Sequence, residues 1–299
     1  MNTDVLVSVV IPTYKRPDKL DVAINSVLQQ SYPNVEVIIV DDNDPDTEGR
    51  RLTEEKMTQF NNEPRVRYIK HERNKNGSAA RNTGANAAKG EYVAFLDDDD
   101  EYLPRKIETQ LEALDGRGEE WACCYSRFYT KKAGKKAVKN KEHREGNLYL
   151  EALSRNLWIA SGSNLLVRKT AFVDIDGFDE SFIRNQDIEF LTRLLKRYKI
   201  AYASYCGLIV NIHYNHSFFD EEDITQQYLR RFEKYVNELS SEEKTLFYRK
   251  INQQRFFYYF RNKRDFKKCR EMITNREVSF KDAAGFTLRK MWSFISRTF

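Results

Sequence analysis

The sequence predicts an α/β protein with a mostly parallel central sheet flanked by helices, followed by a C-terminal helical region. Two observations predict this fold class. Short apolar, β-branched runs alternate with amphipathic helical segments as far as about residue 212, which is typical of a sheet with helical crossovers. From about residue 223 onward only helical patterns remain. We therefore place one domain over 1–220 and a basic helical region over 221–299.

The first forty residues are predicted to form a right-handed strand–helix–strand unit. Residues 5–11 are a continuous apolar run of the kind buried on both faces of a parallel sheet, and the run stops at Pro12. Pro17 can open a helix with its apolar residues on one face, and 35–40 reads as a second buried strand. A right-handed connection places the carboxyl ends of both strands along one edge of the sheet. The acidic run that begins at Asp41 therefore lies at that edge.

The alternation of strands and helices continues along the chain. Further strands are predicted near 66–69, 92–96, 121–128 and 163–167. Helices are predicted near 50–60 and 78–88, from Pro104, after Gln186-Asp187, and near 226–238, 242–260, 264–273 and 281–296. The stretch 131–141 holds six lysines and is predicted to be an exposed loop. The strand at 92–96 runs directly into four aspartates, Asp97 to Asp100.

The composition indicates a globular protein with a well-solvated surface. Hydrophobic residues make up 40% and charged residues 32% of the 299 residues, which excludes wholesale disorder. The net charge of +5, from 50 basic and 45 acidic residues, favours anionic ligands without indicating nucleic acid. Four cysteines without C-x-x-C spacing indicate reduced thiols in a cytosol. The N-terminus lacks a signal-peptide pattern and no apolar run approaches a bilayer span, so we expect any membrane contact to be peripheral.

The acidic residues at the sheet edge are candidates for a metal–diphosphate site. Open α/β sheets bind ligands outside the carboxyl ends of their strands, and clustered carboxylates there would be stabilised by a divalent cation. The alternative is a solvated acidic turn. Arg81, preceded by Gly77, can clamp a diphosphate with its planar guanidinium, or it can be an ordinary helix-surface arginine. Glycine-rich dinucleotide and P-loop signatures, metalloprotease and nucleophile-elbow motifs are absent from the sequence.

Four blocks in order carry a family resemblance: VSVVIPTYKRP, VIIVDDND, NGSAARNTGANAAKGEYVAFLDDDDEYLP and GFDESFIRNQDIEFLTRLL. The chain resembles the inverting family 2 glycosyltransferases over about residues 5–215. The resemblance implies the GT-A fold, which is Rossmann-like, and a nucleotide-diphospho-sugar donor. It also implies a divalent cofactor, Mn²⁺ or Mg²⁺.

The resemblance implies a role for each matching residue. The nucleotide would be bound by Pro12, Thr13, Tyr14, Arg16, Asp41, Arg81, Asp97 and Asp98. Asp41 would accept a hydrogen bond from the base, which favours a UDP- or dTDP-sugar. Asp99 would be the main metal ligand, assisted by Asp97. From its position after the last predicted strand, His213 is a further candidate ligand, or else a solvated or structural histidine. Asp100 either supports the metal ligands or caps the helix at Pro104, and we favour the cap.

Asp187 corresponds to the catalytic base of the family. An acceptor hydroxyl needs such a base because it is a poor nucleophile until its proton is removed. Gln186 stands where the family usually has Glu, which keeps the shape and removes a charge. The acceptor pocket is expected to include Trp158, Ser161, Gly162 and Gln186, although core packing would also explain Trp158.

The C-terminal region is basic and aromatic. Residues 286–299 alternate apolar side chains with Arg289, Lys290 and Arg297, as in a basic amphipathic helix. Such a helix can lie on an anionic membrane, pack on its own domain or form a homodimer. Nucleic acid binding is disfavoured because no part of the sequence resembles a nucleic-acid module.

The sequence thus predicts an enzyme that moves one sugar onto an acceptor hydroxyl. The acceptor is expected to be a lipid-linked precursor of a bacterial capsule, wall or other surface polysaccharide, at the cytoplasmic face of the membrane. A processive polymerase is disfavoured because the Q-x-x-R-W element is absent. A sugar nucleotidyltransferase and a non-catalytic nucleotide-sugar-binding scaffold remain alternatives.

Overall fold

The structure is a computed structural model that describes residues 4–212 and 221–284. The described chain divides into two compact units, one of 4–152 with 157–212 and the other of 153–156 with 221–284. The first unit has a mixed α/β architecture in which helices flank a central sheet. The predicted fold class is confirmed.

The elements are numbered in chain order. The strands are β1 (Val7–Thr13), β2 (Val35–Asp41), β3 (Val66–Lys70), β4 (Tyr92–Phe95), β5 (Glu101–Tyr102), β6 (Trp121–Lys132), β7 (Val138–Lys139), β8 (Leu166–Arg168) and β9 (Lys199–Ile212). The helices of the first unit are α1 (Leu20–Leu28), α2 (Glu48–Met57), α3 (Gly77–Ala87), α4 (Lys106–Leu114), α5 (Tyr149–Leu153), α6 (Ser161–Asn164), α7 (Lys169–Asp174) and α8 (Gln186–Arg197). Those of the second unit are α9 (Glu221–Arg231), α10 (Glu233–Asn237), α11 (Ser241–Tyr258) and α12 (Phe266–Thr274).

The sheet has the strand order β3-β2-β1-β4-β8-β6-β9-β5, and β7 pairs with β6. The long ladders are parallel: β1 with β2 and β4, β2 with β3, and β6 with β9. Every residue of β2 is buried, as predicted for a strand covered on both faces. Thr13 pairs with Asp41 at the last register position, and β4 leads into Asp97. The carboxyl ends of these strands therefore meet at one edge.

The segment 163–167 differs from the predicted strand. Residues Ser161–Asn164 form the short helix α6, and the strand β8 begins only at Leu166. The Asn164 side chain is the reason, because its Oδ1 accepts from Ser126 N (3.2 Å) and its Nδ2 donates to Ser126 O (2.7 Å). A side-chain amide thus takes the place of a strand backbone beside β6. The turn this creates brings Ser161 to Ser163 to the edge of the sheet.

The lysine-rich stretch also differs from its prediction. It was expected to be a loop, but β6 continues to Lys132 and pairs with β7 across a turn at Gly134. Glycine suits this turn because its φ of 71° lies in the left-handed region. The stretch is therefore an exposed β-hairpin.

Helix α3 packs closely on β1 through Gly84. A Cβ atom at this position would lie 2.3 Å from Cγ1 of Val10, which is fully buried. We expect Gly84→Ala to lower the free energy of unfolding by about 1–3 kcal/mol, because the added methyl overpacks the interface. Chemical denaturation measures the change. Asn86→Ala, on the exposed face of the same helix, is the control and should change stability by no more than about 0.5 kcal/mol.

The second unit is helical in its described part. Its apolar cluster contains Phe256, Tyr259, Cys269, Met272, Val278 and Ala283. Helix α11 begins with a capping box, in which Ser240 and Glu243 satisfy each other's backbone N–H groups. The segment 153–156 belongs to this unit, since Tyr228 Oη donates to Leu153 O (2.5 Å) and Gln254 Nε2 donates to Ser154 O (2.7 Å). None of the described helices combines the length and apolar character that a bilayer crossing requires. The predicted amphipathic helix at 286–299 lies outside the described residues.

Candidate active site

A cavity of ≈ 390 Å³ opens at the carboxyl edge of the parallel strands. Its volume falls in the usual range for small-molecule sites. It is lined by Pro12, Thr13, Tyr14, Arg16, Asp42, Asn74, Asn76, Gly77, Ala80, Arg81, Asp97, Asp98, Ile183 and Gln186. Eight of the predicted site residues therefore lie together: Pro12, Thr13, Tyr14, Arg16, Arg81, Asp97, Asp98 and Gln186.

Arg81 is positioned at the start of α3, beside the N-terminus of that helix. Asn76 caps the helix, since its Oδ1 accepts from Ser78 N (2.9 Å) and Ala79 N (3.2 Å). Arg81 is only 5% exposed, and its Nη2 lies 2.5 Å from Asp97 Oδ1. A guanidinium, paired with Asp97, and the partial positive charge of a helix N-terminus therefore lie side by side at this wall of the cavity. Such a wall suits an anionic ligand.

Asp41 does not line the cavity, in contrast to its predicted contact with the base. It is fully buried, and its carboxylate oxygens accept from Asn43 N (2.9 Å), Asn43 Nδ2 (2.7 Å) and Tyr68 Oη (2.5 Å). Arg50 Nε lies 3.2 Å from the same carboxylate. Because these neighbours occupy its acceptor positions, Asp41 stabilises the end of β2 from the interior of the protein.

Asp42, the next residue, reaches the cavity instead. Its carboxylate accepts from Lys75 N (2.8 Å), Asn76 N (3.0 Å) and Asn74 Nδ2 (2.9 Å), and it lies 2.7 Å from His71 Nδ1. Since an ionised carboxylate only accepts, His71 Nδ1 donates in this pair. Asp42 thereby fixes the loop that leads into α3. The sequence analysis missed Asn74 and Asn76, although the N-K-N-G string before α3 is a recognisable turn and cap signal.

The aspartates after β4 point in different directions. Asp98 Oδ2 accepts from Thr13 Oγ1 (2.8 Å), which joins the ends of β1 and β4. Burial raises the pKa of Asp98 to about 7, although Thr13 and Arg16 act to lower it. Arg16 Nη1 lies 2.5 Å from Asp99 Oδ2, so the carboxylate of Asp99 already has a cationic partner. Within 4–212 and 221–284, no three His, Cys, Asp or Glu side chains group as a metal site.

The prediction that Asp100 caps the following helix is wrong. The N-cap residue of α4 is Arg105, without a side-chain capping bond. Asp100 instead accepts from Ser163 Oγ (2.6 Å) and from Asn211 N (2.9 Å). Burial, followed by the charge of Asp97, raises the pKa of Asp100 to about 7. Asp100 therefore fastens the acidic turn to α6 and β9.

Helix α6 connects the acidic turn with the start of α8. Ser161 Oγ donates to Asp187 Oδ2 (2.7 Å), and a Cβ at Gly162 would lie 3.1 Å from Asp97 Oδ2. Gln186 faces the cavity, where its Oε1 accepts from Ser78 Oγ (2.9 Å). Ser161 thus holds the predicted base, and the missing side chain of Gly162 leaves room for the Asp97 carboxylate beside the same helical turn.

Trp158 is another predicted site residue that does not line the cavity. Trp158 is 57% exposed, so core packing does not explain it. Its ring meets that of Phe128 edge-on, with centroids 5.5 Å apart. His213 lies outside the described residues.

Lys106 is a fully buried lysine beneath α6 that the sequence analysis missed. Its Nζ donates to Gln110 Oε1 (2.6 Å) and Asn164 O (3.1 Å), and it forms no ion pair with any described residue. Burial lowers the pKa of Lys106 to about 7. The amine therefore supports α6 through hydrogen bonds that do not need its charge.

We expect the stability advantage of the wild type over Lys106→Met to grow as the pH rises from about 7 toward 10.5. In this window the unfolded chain binds more protons at Lys106 than the folded protein does, so folding becomes more favourable as pH rises. Methionine removes the titrating group. Chemical unfolding across the window measures the difference. Lys135→Met, at an exposed lysine, is the control and should give a pH-independent difference.

The fold and the cavity together define a nucleotide-binding type of α/β site at a strand edge. The chain belongs to glycosyl transferase family 2, whose model matches residues 8–176. The family predicted from the sequence blocks is confirmed.

Relatives in sequence support the same assignment. The chain is 31% identical over 195 residues to the amylovoran biosynthesis glycosyltransferase AmsB of Erwinia amylovora, a match that covers 64% of each chain. It is 34% identical over 111 residues to UDP-Glc:alpha-D-GlcNAc-diphosphoundecaprenol beta-1,3-glucosyltransferase WfgD of Escherichia coli, which covers 37% of this chain and 42% of WfgD. The matched segments thus span only part of either relative.

The crystal structure of S. aureus TarS 1-349 in complex with UDP-GlcNAc has a similar fold, with a TM-score of 0.64 and 17% identity. The match covers 87% of this chain and 74% of TarS 1-349. At this level of identity the likeness concerns the fold alone.

Proposed function

We propose that the protein is an inverting glycosyltransferase that moves one sugar from a UDP- or dTDP-sugar to an acceptor hydroxyl. The acceptor is a lipid-linked precursor of a bacterial surface polysaccharide, at the cytoplasmic face of the membrane. The observation that carries the proposal is the start of α8. Gln186 lines the cavity with Arg81 and Asp97, while Asp187 is held beside it by Ser161.

Donor binding follows from the charges of the cavity. Arg81 and the N-terminus of α3 provide fixed positive charge for a diphosphate. Pro12, Thr13 and Tyr14 also belong to the lining, and a planar base can lie against them. The Asp42-bound loop, with Asn74 and Asn76 in the lining, completes the site.

A divalent cation fits the donor set at this edge. Mg²⁺ and Mn²⁺ take carboxylate oxygens together with substrate phosphates, so one or two aspartates are enough. Asp97 and Asp99, which the family resemblance indicates as ligands, would hold the ion, and their present cationic partners are Arg81 and Arg16, each at 2.5 Å. When bound, the cation would neutralise charge that develops on the leaving diphosphate.

The protein's own residues carry out the proton transfer. Asp187 accepts the proton of the acceptor hydroxyl as its oxygen attacks the anomeric carbon from the side opposite the diphosphate. Ser161 orients the carboxylate by donating to Oδ2, which leaves Oδ1 for the acceptor. A single displacement of this kind inverts the anomeric centre.

The relatives support this choice of substrates. WfgD is named for a UDP-Glc donor and a diphosphoundecaprenol-linked acceptor, and AmsB for amylovoran biosynthesis. The TarS complexes contain UDP-GlcNAc and UDP. Membrane docking through the basic C-terminal region stays a prediction.

Titration calorimetry and product analysis test the proposal. We expect UDP or dTDP to bind more tightly with Mn²⁺ and a panel of UDP- and dTDP-sugars to include one that is transferred to a polyprenyl-diphosphate-linked sugar. Release of pyrophosphate from a nucleoside triphosphate and sugar phosphate would instead show a nucleotidyltransferase. Nucleotide-sugar binding without transfer to any acceptor would show a scaffold.

A further inference from the structure

The β-hairpin at 128–141, here called the lysine hairpin, presents an unneutralised cluster of positive charge. Its exposed lysines are Lys131, Lys135, Lys136, Lys139 and Lys141. None of these five forms an ion pair with another described residue. Cations that are not paired within their own unit are available to an anionic ligand.

The base of the lysine hairpin contacts Trp158. Phe128 packs its ring against the indole at 5.5 Å between centroids. Asn140 donates from its backbone N to Phe128 O (2.8 Å) and from Nδ2 to Trp158 O (3.4 Å). The indole is nevertheless 57% exposed. A rigid aromatic surface held in solvent is suited to stacking on the apolar face of a sugar ring.

Trp158 lies close to the proposed base. Only two residues lie between Trp158 and Ser161, whose hydroxyl holds Asp187, so the Cα atoms of Trp158 and Ser161 are at most about 11 Å apart. The β6 strand of the hairpin also approaches the acidic turn. Lys131 pairs with Asn211 in the β6–β9 ladder, and Asn211 Nδ2 donates to Asp99 O (2.7 Å). The hairpin therefore projects from the same edge as the cavity.

We propose that the acceptor is a saccharide that carries phosphate groups, with its sugar on Trp158 and its phosphate on the lysine hairpin. This inference rests on the proposed function and names the chemistry of its second substrate. Lysine is a compact cation that binds phosphate as a point charge and needs no bidentate geometry. Several lysines on a short hairpin suit a ligand with more than one negative charge. The phosphate comes either from a polyprenyl diphosphate or from a phosphodiester chain.

The test measures binding of two probes to the full-length protein. One is a soluble glycerol phosphate oligomer and the other is phosphatidylcholine vesicles that contain polyprenyl-diphosphate-linked GlcNAc. The variant carries Lys135→Gln, Lys136→Gln and Lys139→Gln. The control carries Lys56→Gln, Lys89→Gln and Lys196→Gln, which remove the same charge from helices and a loop elsewhere on the unit.

We expect the hairpin variant to bind the probe that represents the natural phosphate source roughly tenfold more weakly than the wild type. The loss should shrink as salt is added, because exposed charges are screened. The probe that shows the loss identifies the source. Trp158→Ala should raise the KM for a sugar-bearing phosphate acceptor, and Trp158→Phe should restore most of it.

Three outcomes would overturn the inference: equal loss in the control variant, unchanged binding of both probes, or a loss seen only with a glucuronic acid oligomer. UDP affinity, measured on each variant, reports whether the cavity is intact. Wild-type protein that transfers sugar to an uncharged acceptor but binds neither phosphate probe contradicts this inference alone. Wild-type protein that transfers sugar to no acceptor contradicts the proposed function.

Discussion

Asp187→Asn is expected to lower the rate of sugar transfer by roughly 10²–10⁴-fold, the usual contribution of a positioned general base. Asparagine retains an oxygen that accepts from Ser161, so the start of α8 keeps its geometry. What is lost is the negative charge that receives the proton. The affinity for UDP should stay within about twofold, since Asp187 is not among the residues that line the cavity. Single-turnover rates and UDP titrations measure the two quantities.

A matched control is available on the same unit. Asp174→Asn makes the same chemical change at a surface carboxylate that pairs with Arg197 (2.8 Å). Transfer by this variant should equal that of the wild type. Ser161→Ala should fall between the two, because the carboxylate remains but loses its orienting donor. If Asp187→Asn transferred sugar at the wild-type rate, the base would have to be another residue.

Asp99→Asn is expected to reduce the Mn²⁺-dependent part of catalysis on the order of 10²-fold, as loss of a charged ligand weakens the cation's hold on the leaving diphosphate. The amide keeps the size of the side chain and can still contact Arg16. The measurement is the rate as a function of Mn²⁺ concentration, together with Mn²⁺ binding followed by electron paramagnetic resonance in the presence of UDP.

Asp100→Asn is the control for this prediction. It changes the neighbouring aspartate, whose oxygens are used by Ser163 and Asn211 and not by the cavity. Its amide can keep the bond from Asn211 N, so we expect Mn²⁺ dependence close to that of the wild type. Equal loss of Mn²⁺ binding in both variants would mean that the acidic turn as a whole, and not Asp99, is responsible.

The parallel half of the fold could be predicted from the sequence because local pattern determines it. β1 and β2 are rich in valine and isoleucine, with one polar residue inside each, Ser8 and Glu36, and such runs have few alternatives to a strand covered on both faces. The strand ends then place Thr13 and Asp97 at one edge without further information. The same rule correctly indicated where the cavity would lie.

The details of the site could not be predicted because they depend on contacts between distant segments. Asp41 and Asp42 are adjacent and chemically identical. Asp41 is buried in contact with Tyr68 and Arg50, whereas Asp42 accepts hydrogen bonds from the loop at 74–76. Asp100 was assigned to a nearby helix, whereas its partner is Ser163. No local pattern reports a hydrogen bond across more than sixty residues.

The single turn of α6 has a thermodynamic consequence. Ser161 Oγ donates to Asp187, and Ser163 Oγ accepts from Asp97 N (3.0 Å) and donates to Asp100 Oδ2 (2.6 Å). A shift of this turn on nucleotide binding would move the base, and a shift on acceptor binding would move the acidic turn. By linkage, whatever factor UDP applies to the acceptor's dissociation constant, the acceptor applies to that of UDP. The turn would supply the physical coupling, and thermodynamics makes that coupling equal in both directions.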